Sequence, residues 1–551
     1  MMKSTMSGAA ALLMARAGAM ATPLLAQAVP AGPVFDPRRY GAQGNGTTMD
    51  TAAVQAAIDA CTQAGGGTVL VSPGVYLCGT VVLKSNVTFQ LQAGAKILGS
   101  PNSADYVLPP DALVATKGAP GRHLLFAFNA QNVTLLGPGI VDGNGPAYFV
   151  PSGRVQPKPE DLYRDVASFD LKRTIGISPM VVIANCTNVR VENILLQNAA
   201  GWTLHPVGCS QVVIRGVTVR NPLHASNTDG IDPTSCQDLL MTDCDIITGD
   251  DGICVKSANP YGGNQICRNI TIMNCRVSTP CNGLKVGAEG PNPFQNINFK
   301  NCEVYGGNGP YNEWPISGID VEMVDMSSVD GVTFDGITMR NVRTPIFIRM
   351  QKLAGRPDRP LKGVLQNVTI SNLKATGALG TSSISGVPGL EVRNISLNNV
   401  LIDTQEPGSL AWLQTPVDER VTGYPGPFNF GRLPCYGFYV RHVDGFSMRN
   451  VTVNSQVGDP RPMLSCDDVQ QITLQHVSGT ASDPSQPFLD LKNVQGASIQ
   501  GNQAPAGTGV YAKVSGANSH NVQFQGNDFS QSKSPVLRGL DVPQDGVGQV
   551  N

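Results

Sequence analysis

Three aspartates fall close together in the sequence. Asp229 lies in the segment Asn-Thr-Asp-Gly at 227–230, and Asp250 and Asp251 lie in the segment Gly-Asp-Asp at 249–251. Carboxylates that converge repel one another when all are ionised, so the pKa of at least one should be raised. A neutral acid beside an ionised base can cleave an acetal, because the acid protonates the leaving oxygen and the base activates water. The same residue types also cap turns and bind Ca²⁺, so the motif alone leaves those alternatives open.

A short repeat must position these aspartates. A polar or small residue, an apolar residue, any residue and a second apolar residue recur mostly about 23–36 residues apart. Each copy alternates apolar and polar side chains with the period of a strand, and clusters of Gly, Asn and Asp separate the copies. The copies start at Asn86, Asn132, Asn188, Gln211, Asp238, Asn269, Asn296, Gly331, Asn367, Asn394, Gly445, Gln471, Gly496 and Asn521.

Units of this length bury an apolar face only by stacking on their neighbours. The chain is therefore predicted to be all-β, a right-handed parallel β-helix. Leucine-rich repeats have similar periods, but their regular leucine spacing and asparagine ladder are missing. Asp229 lies about 9 residues before the copy at Asp238, and Asp250 about 12 after it. The two segments are thus one coil apart, and stacking should bring them together.

Other segments are predicted to close the ends and sides of the solenoid. Residues 51–62 place apolar side chains at helical spacing after Asp50 and Thr51, which predicts a short N-terminal capping helix with its N-cap there. Two interruptions of the repeat, at 349–362 and 404–436, are rich in basic residues, Pro or Gly. Long loops on one side of a solenoid often form the walls of a binding groove.

Thirteen cysteines invite a disulfide framework. Seven of them keep a fixed offset from the repeat, which instead predicts two interior stacks of buried thiols, with some disulfides as the alternative. No paired Cys-x-x-Cys or histidine cluster accompanies them, so neither a metal nor another cofactor is expected. The seven are Cys186, Cys209, Cys236 and Cys267 in one stack, and Cys244, Cys275 and Cys302 in the other.

Charge and hydropathy restrict the partners. The net charge is −2 with no basic run, which gives no support for nucleic acid or an anionic membrane as a partner. Residues 1–28, with Lys3 and a small-x-small site at 26–28, resemble a signal peptide, although a disordered N-terminus is the alternative. The chain is thus predicted to be secreted or periplasmic and monomeric. One catalytic domain is predicted at 29–551, with 29–100 forming the cap and first coils.

The segments at 227–232 (Asn-Thr-Asp-Gly-Ile-Asp) and 249–251 resemble glycoside hydrolase family 28, the polygalacturonases, which are pectin-degrading β-helix enzymes. The N-terminal segments around 40–42, 65–67 and 94–95 are similar to that family too, as is Trp-Thr-Leu-His at 202–205. The resemblance implies a pectic substrate and inverting acid–base catalysis. It implies that Asp250 is the general acid, and that Asp229 and Asp251 hold and activate the water.

The chain departs from the family pattern at the positions expected to hold substrate. Asn282 stands where the family has His, and Asp320 and Glu322 stand where it has Arg and Lys. Anions there would repel a galacturonate instead of clamping it, so a neutral sugar such as rhamnose in a branched pectin fits better. Lys285, or Arg343 and Arg349, could alternatively supply the missing cation.

Further residues near the motif could contact substrate. Asn227, His224 and Lys256 are predicted to line the groove, and His205 is a weaker candidate. Trp202 could stack on a sugar or pack between coils. Two other functions remain open: a Ca²⁺-dependent β-helix polysaccharide lyase, and a non-catalytic carbohydrate-binding β-helix.

Overall fold

The computed structural model describes residues 32–109, 121–153, 170–174, 177–307, 313–324, 327–352 and 363–550. In these ranges the chain is a parallel β-helix, because almost every strand pairs in parallel with the strand one coil later. The fold prediction is confirmed. The predicted signal peptide and the basic residues 353–362 lie outside the described residues. No helix in the described part has both the length and the apolar character to cross a membrane.

Three stacks of strands, named here A, B and C, form the faces of the solenoid. Most coils contribute one strand to each stack in the order A, B, C. In the coil of Asp232, isolated bridges at Ile231 and Thr234 continue stack A. Stack A consists of Val81–Leu83, Leu125–Phe128, Val181–Ala184, Leu204–Val207, Ile253–Val255, Asn282–Val286, Ser317–Met323, Thr344–Met350 and Ser382–Ser385. Stack B consists of Val34–Phe35, Gly67–Val71, Val87–Leu91, Gln131–Leu136, Thr187–Glu192, Ser210–Arg215, Gln237–Thr242, Cys267–Met273, Phe294–Lys300 and Ser328–Asp335.

Stack C lies between stack B and the start of the next coil. It consists of Asn45–Met49, Gly74–Cys78, Ala95–Gly99, Ile140–Asp142, Leu195–Gln197, Thr218–Arg220, Asp245–Ile247, Arg276–Ser278, Glu303–Tyr305 and Thr338–Arg340. Towards the C-terminus the stacks merge into longer strands. These are Val364–Ala378, Val392–Thr404, Phe438–Ser455, Leu464–Gly479 and Pro487–Gln500, followed by Val510–Ser515, His520–Gln525, Ser534–Arg538 and Val547–Val550.

The sequence repeat corresponds to stack B. Its first residue adopts a positive φ, for example 55° at Asn188 and 56° at Asn269, which Asn tolerates better than most residues. Its second residue is apolar and keeps register from coil to coil, so that Val189 pairs with Val212 and Val212 with Leu239. These side chains are buried in one continuous core.

The expectation that no asparagine ladder is present was wrong. Asn132 donates through its side-chain amide to Asn86, and Asn188 donates to Asn132, each at 2.7 Å. Similar amide bonds link Asn269 to Asp238 and Asn296 to Asn269. The ladder lies at the repeat's first position, near the start of each stack B strand. It was missed because the position also holds Gln, Asp and Gly in other coils.

The cysteines follow the predicted stacks. All 13 lie in the described part of the chain, none forms a disulfide, and all but Cys281 are buried. The Cys186 backbone N–H donates to the Cys209 sulfur at 3.4 Å, so neighbouring coils place these side chains against one another. Burial raises the pKa of Cys267 to about 12, which keeps that thiol protonated and unreactive.

One α-helix, Thr51–Gln63, covers the first coils and confirms the predicted cap. The Asp50 carboxylate does not cap it, however. It accepts bonds from the backbone N–H groups of Gln43 and Gly44, at 2.7 and 2.9 Å, and thereby fixes the preceding turn. Short 3-10 helices occur at Pro37–Tyr40, Ser103–Asp105, Gly145–Tyr148, Leu410–Gln414 and Pro427–Phe430. Phe149–Pro151 and Leu171–Arg173 form a separate antiparallel pair.

Candidate active site

The three aspartates meet at the edge where stack A begins. Ile231 bridges to Ile253 in the next coil, which places Asp229, two residues earlier, beside Asp251. A carboxylate oxygen of Asp250, one of Asp251 and the sulfur of Cys281 lie within 4.8 Å of one another. The prediction that stacking joins the two segments is therefore confirmed.

Small side chains explain why coils can approach so closely here. A Cβ on Gly230 would lie 2.4 Å from the Gly252 carbonyl oxygen, and one on Gly249 would lie 2.5 Å from the Ala225 carbonyl oxygen. The Thr228 hydroxyl, fully buried, donates to Ala225 and accepts from the Gly249 N–H. The residues of Asn-Thr-Asp-Gly around Asp229 thus have structural roles that hold the carboxylate in place.

Asp250 is the most exposed of the three acids. Its carboxylate accepts the backbone N–H of Asn227 at 3.0 Å and that of Asp251 at 2.9 Å. Burial and the neighbouring Asp251 raise the pKa of Asp250 to about 6, although these hydrogen bonds oppose the shift. Asp250 is therefore protonated in mildly acidic solution and lies at the mouth of the site.

Asp251 has the opposite environment. It accepts the Asn282 side-chain amide at 2.8 Å and the Cys281 thiol at 3.2 Å, and the Lys285 ammonium lies 3.2 Å away. Burial alone would raise the pKa of Asp251, but Lys285 and Lys256 outweigh it and the pKa is lowered. In mildly acidic solution the two adjacent carboxyls therefore differ in protonation: Asp250 is neutral and Asp251 is ionised.

Asp229 lies on the floor of the site beside Lys256. The Lys256 ammonium lies 3.4 Å from Asp229 and 3.2 Å from Glu289, and 4.2 Å above the Trp202 ring. Burial and the nearby Asp232 raise the pKa of Asp229 despite that lysine. Trp202 thus supports a lysine through a cation–π contact and also remains half-exposed.

The other substituted positions form a buried charge network. The Lys285 ammonium lies between the carboxylates of Asp251 and Glu322, and its distance to Glu322 is 3.3 Å. Asp320 accepts the Ser317 hydroxyl at 3.0 Å, and burial raises the pKa of Asp320 to about 7. All three side chains of Lys285, Asp320 and Glu322 are at most 1% exposed.

The remaining predicted residues fall into two groups. Asn227 and His224 lie at the rim, where the His224 ring is 3.5 Å from Glu313. His205 is buried, contacts the Thr234 hydroxyl at 2.9 Å, and burial lowers its pKa to about 3. Arg343 and Arg349 are both buried. Their guanidinium groups donate to backbone carbonyl oxygens, Arg343 to Trp314 and Pro280 and Arg349 to Gly386, Glu419 and Arg420.

Four residues of the site escaped the sequence analysis. Asp232 stands inside the quoted motif at 227–232, directly after the Ile231 bridge that continues stack A, and that position could have identified it. Cys281 lies next to Asn282 and breaks the pattern of cysteines at fixed repeat offsets. Glu289 and Tyr424 lie on connections between strands, where no periodic signal exists.

The fold and site define a class: a parallel β-helix with a cluster of carboxyl groups at one edge of stack A. The family model described as glycosyl hydrolases family 28 matches residues 61–409, more than half of the chain. The chain belongs to this family.

Individual relatives are distant. A probable polygalacturonase of Vitis vinifera is 29% identical over 233 residues, which cover 40% of this chain and 44% of that protein. An exo-poly-alpha-D-galacturonosidase of Dickeya chrysanthemi is 28% identical over 254 residues, covering 40% and 41%. The solved structure of a Thermotoga maritima exopolygalacturonase matches with a TM-score of 0.54 at 22% identity, covering 68% of this chain and 87% of that one; this likeness concerns the fold alone. The chain spans about half the length of the curated relatives it matches.

Proposed function

We propose that this chain is a secreted glycoside hydrolase that cleaves pectic polysaccharide or oligosaccharide with inversion of configuration. In this proposal residues 29–551 form one catalytic β-helix domain, and residues 1–28 direct export. The observation that carries it is the opposite pKa shift of two neighbouring carboxyls, upward at Asp250 and downward at Asp251. Such a pair can supply an acid and a base at the same pH.

In the proposed mechanism Asp250 donates its proton to the glycosidic oxygen as the bond to the anomeric carbon breaks. Asp251 accepts a proton from the attacking water, which adds to the opposite face of the sugar. Asn282, Cys281 and Lys285 keep Asp251 ionised and oriented. Asp229 helps to hold the water, and Lys256 fixes the position of Asp229.

The charge of the site favours a neutral sugar over a galacturonate. The two lysines of the floor are already paired with carboxylates: Lys256 with Asp229 and Glu289, and Lys285 with Asp251 and Glu322. Neither of these two lysines is therefore free to bind the carboxylate of a galacturonate. Rhamnose in a branched pectin is a neutral sugar and needs no such cation, and its hydroxyls can donate to carboxylates.

The direct test is Asp250→Asn, which keeps the shape of the side chain and removes the transferable proton. We expect release of reducing sugar to stop, while the circular dichroism spectrum and Tm stay close to the wild type. Asp528→Asn, at an exposed turn distant in sequence, is the matched control and should keep full activity. An Asp250→Asn protein that hydrolyses as fast as the wild type would contradict the acid assignment.

The substrate is tested on a panel of polygalacturonate, rhamnogalacturonan and neutral glycans, with the anomeric configuration of the first product followed by NMR. We expect cleavage of rhamnogalacturonan with inversion. Binding of a pectic glycan with no cleavage of any substrate on the panel would instead support a carbohydrate-binding protein.

A further inference from the structure

The outer face of stack A is covered on both sides of the candidate site. This face is where a polysaccharide that follows the solenoid axis would lie, because Asp232, Cys254 and Lys285 succeed one another along it. The two covers are the downstream cover, residues 418–424, and the upstream cover, residues 259–264. Both belong to connections between strands, not to the repeat itself.

The downstream cover lies against the end of the stack A strand Thr344–Met350, two coils after Lys285. Its end contacts the floor, because the Tyr424 hydroxyl lies 3.3 Å from the Lys285 ammonium. From the second coil after Lys285 onwards, the face is filled by the protein's own side chains, with Phe347 and Tyr439 buried in one cluster with Phe430. Five bonds hold the cover in place: Lys352 N–H to Val421, Gly423 N–H to Lys352, Arg349 to Glu419 and to Arg420, and Gln351 to Gly423.

The upstream cover closes the other side. Tyr261 packs on the rings of Phe126 and Phe128, with ring centroids 6.1 and 6.0 Å apart. Its hydroxyl lies 3.2 Å from the ring nitrogen Nε2 of His123, and Val207 lies in the same apolar cluster. The stack A face directly before the site, at Val182 and Ala184, is therefore covered as well.

The stretch of stack A between the two covers is short. It extends from the strand Leu204–Val207 to Lys285, which is three strand spacings, or about 14 Å. A long polymer that followed the axis would collide with the Tyr424 side on one end and the Tyr261 side on the other. The end of a glycan chain, in contrast, can enter this stretch without passing both covers.

We propose that the site accepts the end of a glycan chain or a short oligosaccharide, and that Tyr424 and the downstream cover set this specificity. The proposal rests on the hydrolase function proposed above. Internal cleavage would require a polymer to run parallel to the strands of stack A instead of following the axis.

The test follows wild-type hydrolysis of the best polymer on the panel, with viscosity and reducing ends measured together. We expect reducing ends to accumulate while viscosity persists, with products of one or two sugars from the earliest times. Polymers chemically capped at the reducing end and at the non-reducing end are then compared. One of the two caps should reduce cleavage to the background of Asp250→Asn.

Tyr424→Ala is the informative variant, and Tyr40→Ala, at a half-exposed tyrosine near the N-terminus, is its matched control. Tyr424→Ala should release longer early products and tolerate the cap better, whereas Tyr40→Ala should match the wild type. A rapid fall in viscosity with a broad range of oligomers from the wild type, unaffected by either cap, would overturn the proposal. No hydrolysis of any substrate would instead refute the hydrolase function, so failure of the chain-end proposal and failure of the proposed function are distinguishable. The comparison of capped polymers uses the wild type and does not depend on whether Tyr424→Ala folds.

Discussion

Lys285 is the buried cation on which the ionised state of Asp251 depends. Its ammonium lies 3.2 Å from Asp251 and 3.3 Å from Glu322. With an effective dielectric constant near 20, each attraction is worth about 5 kcal/mol before the cost of removing the charges from water. Removing one partner of such a buried group typically costs about 3–5 kcal/mol, because the remaining charges lose their partner. We therefore expect Lys285→Met to lower the free energy of unfolding by about 3–5 kcal/mol.

Denaturant unfolding of four proteins measures this effect: wild type, Lys285→Met, Glu322→Leu, and the double variant. The double variant should recover part of the lost stability, since an apolar pair replaces a lone buried carboxylate. Its activity should stay low, because Asp251 still lacks its cation, and the acid limb of kcat/KM should move to higher pH. Lys374→Met, at an exposed lysine of the strand Val364–Ala378, controls for loss of a surface charge. A loss below about 1 kcal/mol, the range of exposed pairs, or a double variant with the wild-type pH profile, would refute this account.

Two further predictions concern pH and metal. The kcat/KM should fall as pH rises through about 6, where Asp250 loses the proton that it must donate. The folded pKa of Asp250 is above its ordinary value of 3.8, so the stability that its protonated form contributes is lost as pH rises from 3.8 to about 6. The Tm difference between wild type and Asp250→Asn should change in that window, and a constant difference would contradict the shift. Incubation with EDTA should leave hydrolysis unchanged, since Asp251 is held by Lys285, Asn282 and Cys281; loss of activity restored by Ca²⁺, with unsaturated products, would support a lyase.

The repeat determines most of the fold, and it was readable because two physical demands recur in every coil. One is an apolar side chain in register, as at Val189 and Val212. The other is a residue that tolerates a positive φ, as Asn188 does at 55°. The Asp50 side chain was misassigned because its partners, the backbone N–H groups at 43 and 44, depend on how the preceding turn folds back.

The acids of the site were predictable for the same reason, since segments one coil apart must stack. The covers were not. Tyr424 contacts Lys285 across 139 residues of sequence, and nothing periodic connects them. Arg349 could be named as a spare cation from its charge, but its burial beneath the 418–424 backbone depends on the path of a long connection.

Asp320 and Glu322 can be explained together with Lys285, because negative charge stands in one coil and positive charge in the neighbouring coil. Family resemblance predicts cations at the positions of Asp320 and Glu322, and both are acids here. Lys285 lies in the preceding coil, paired in register with Asp320, and its ammonium contacts Glu322 and Asp251. The positive charge therefore acts on Asp251, the proposed catalytic base, instead of on a substrate carboxylate. A site arranged in this way keeps the proposed acid–base pair intact, and it loses the attraction for an anionic sugar at the same position.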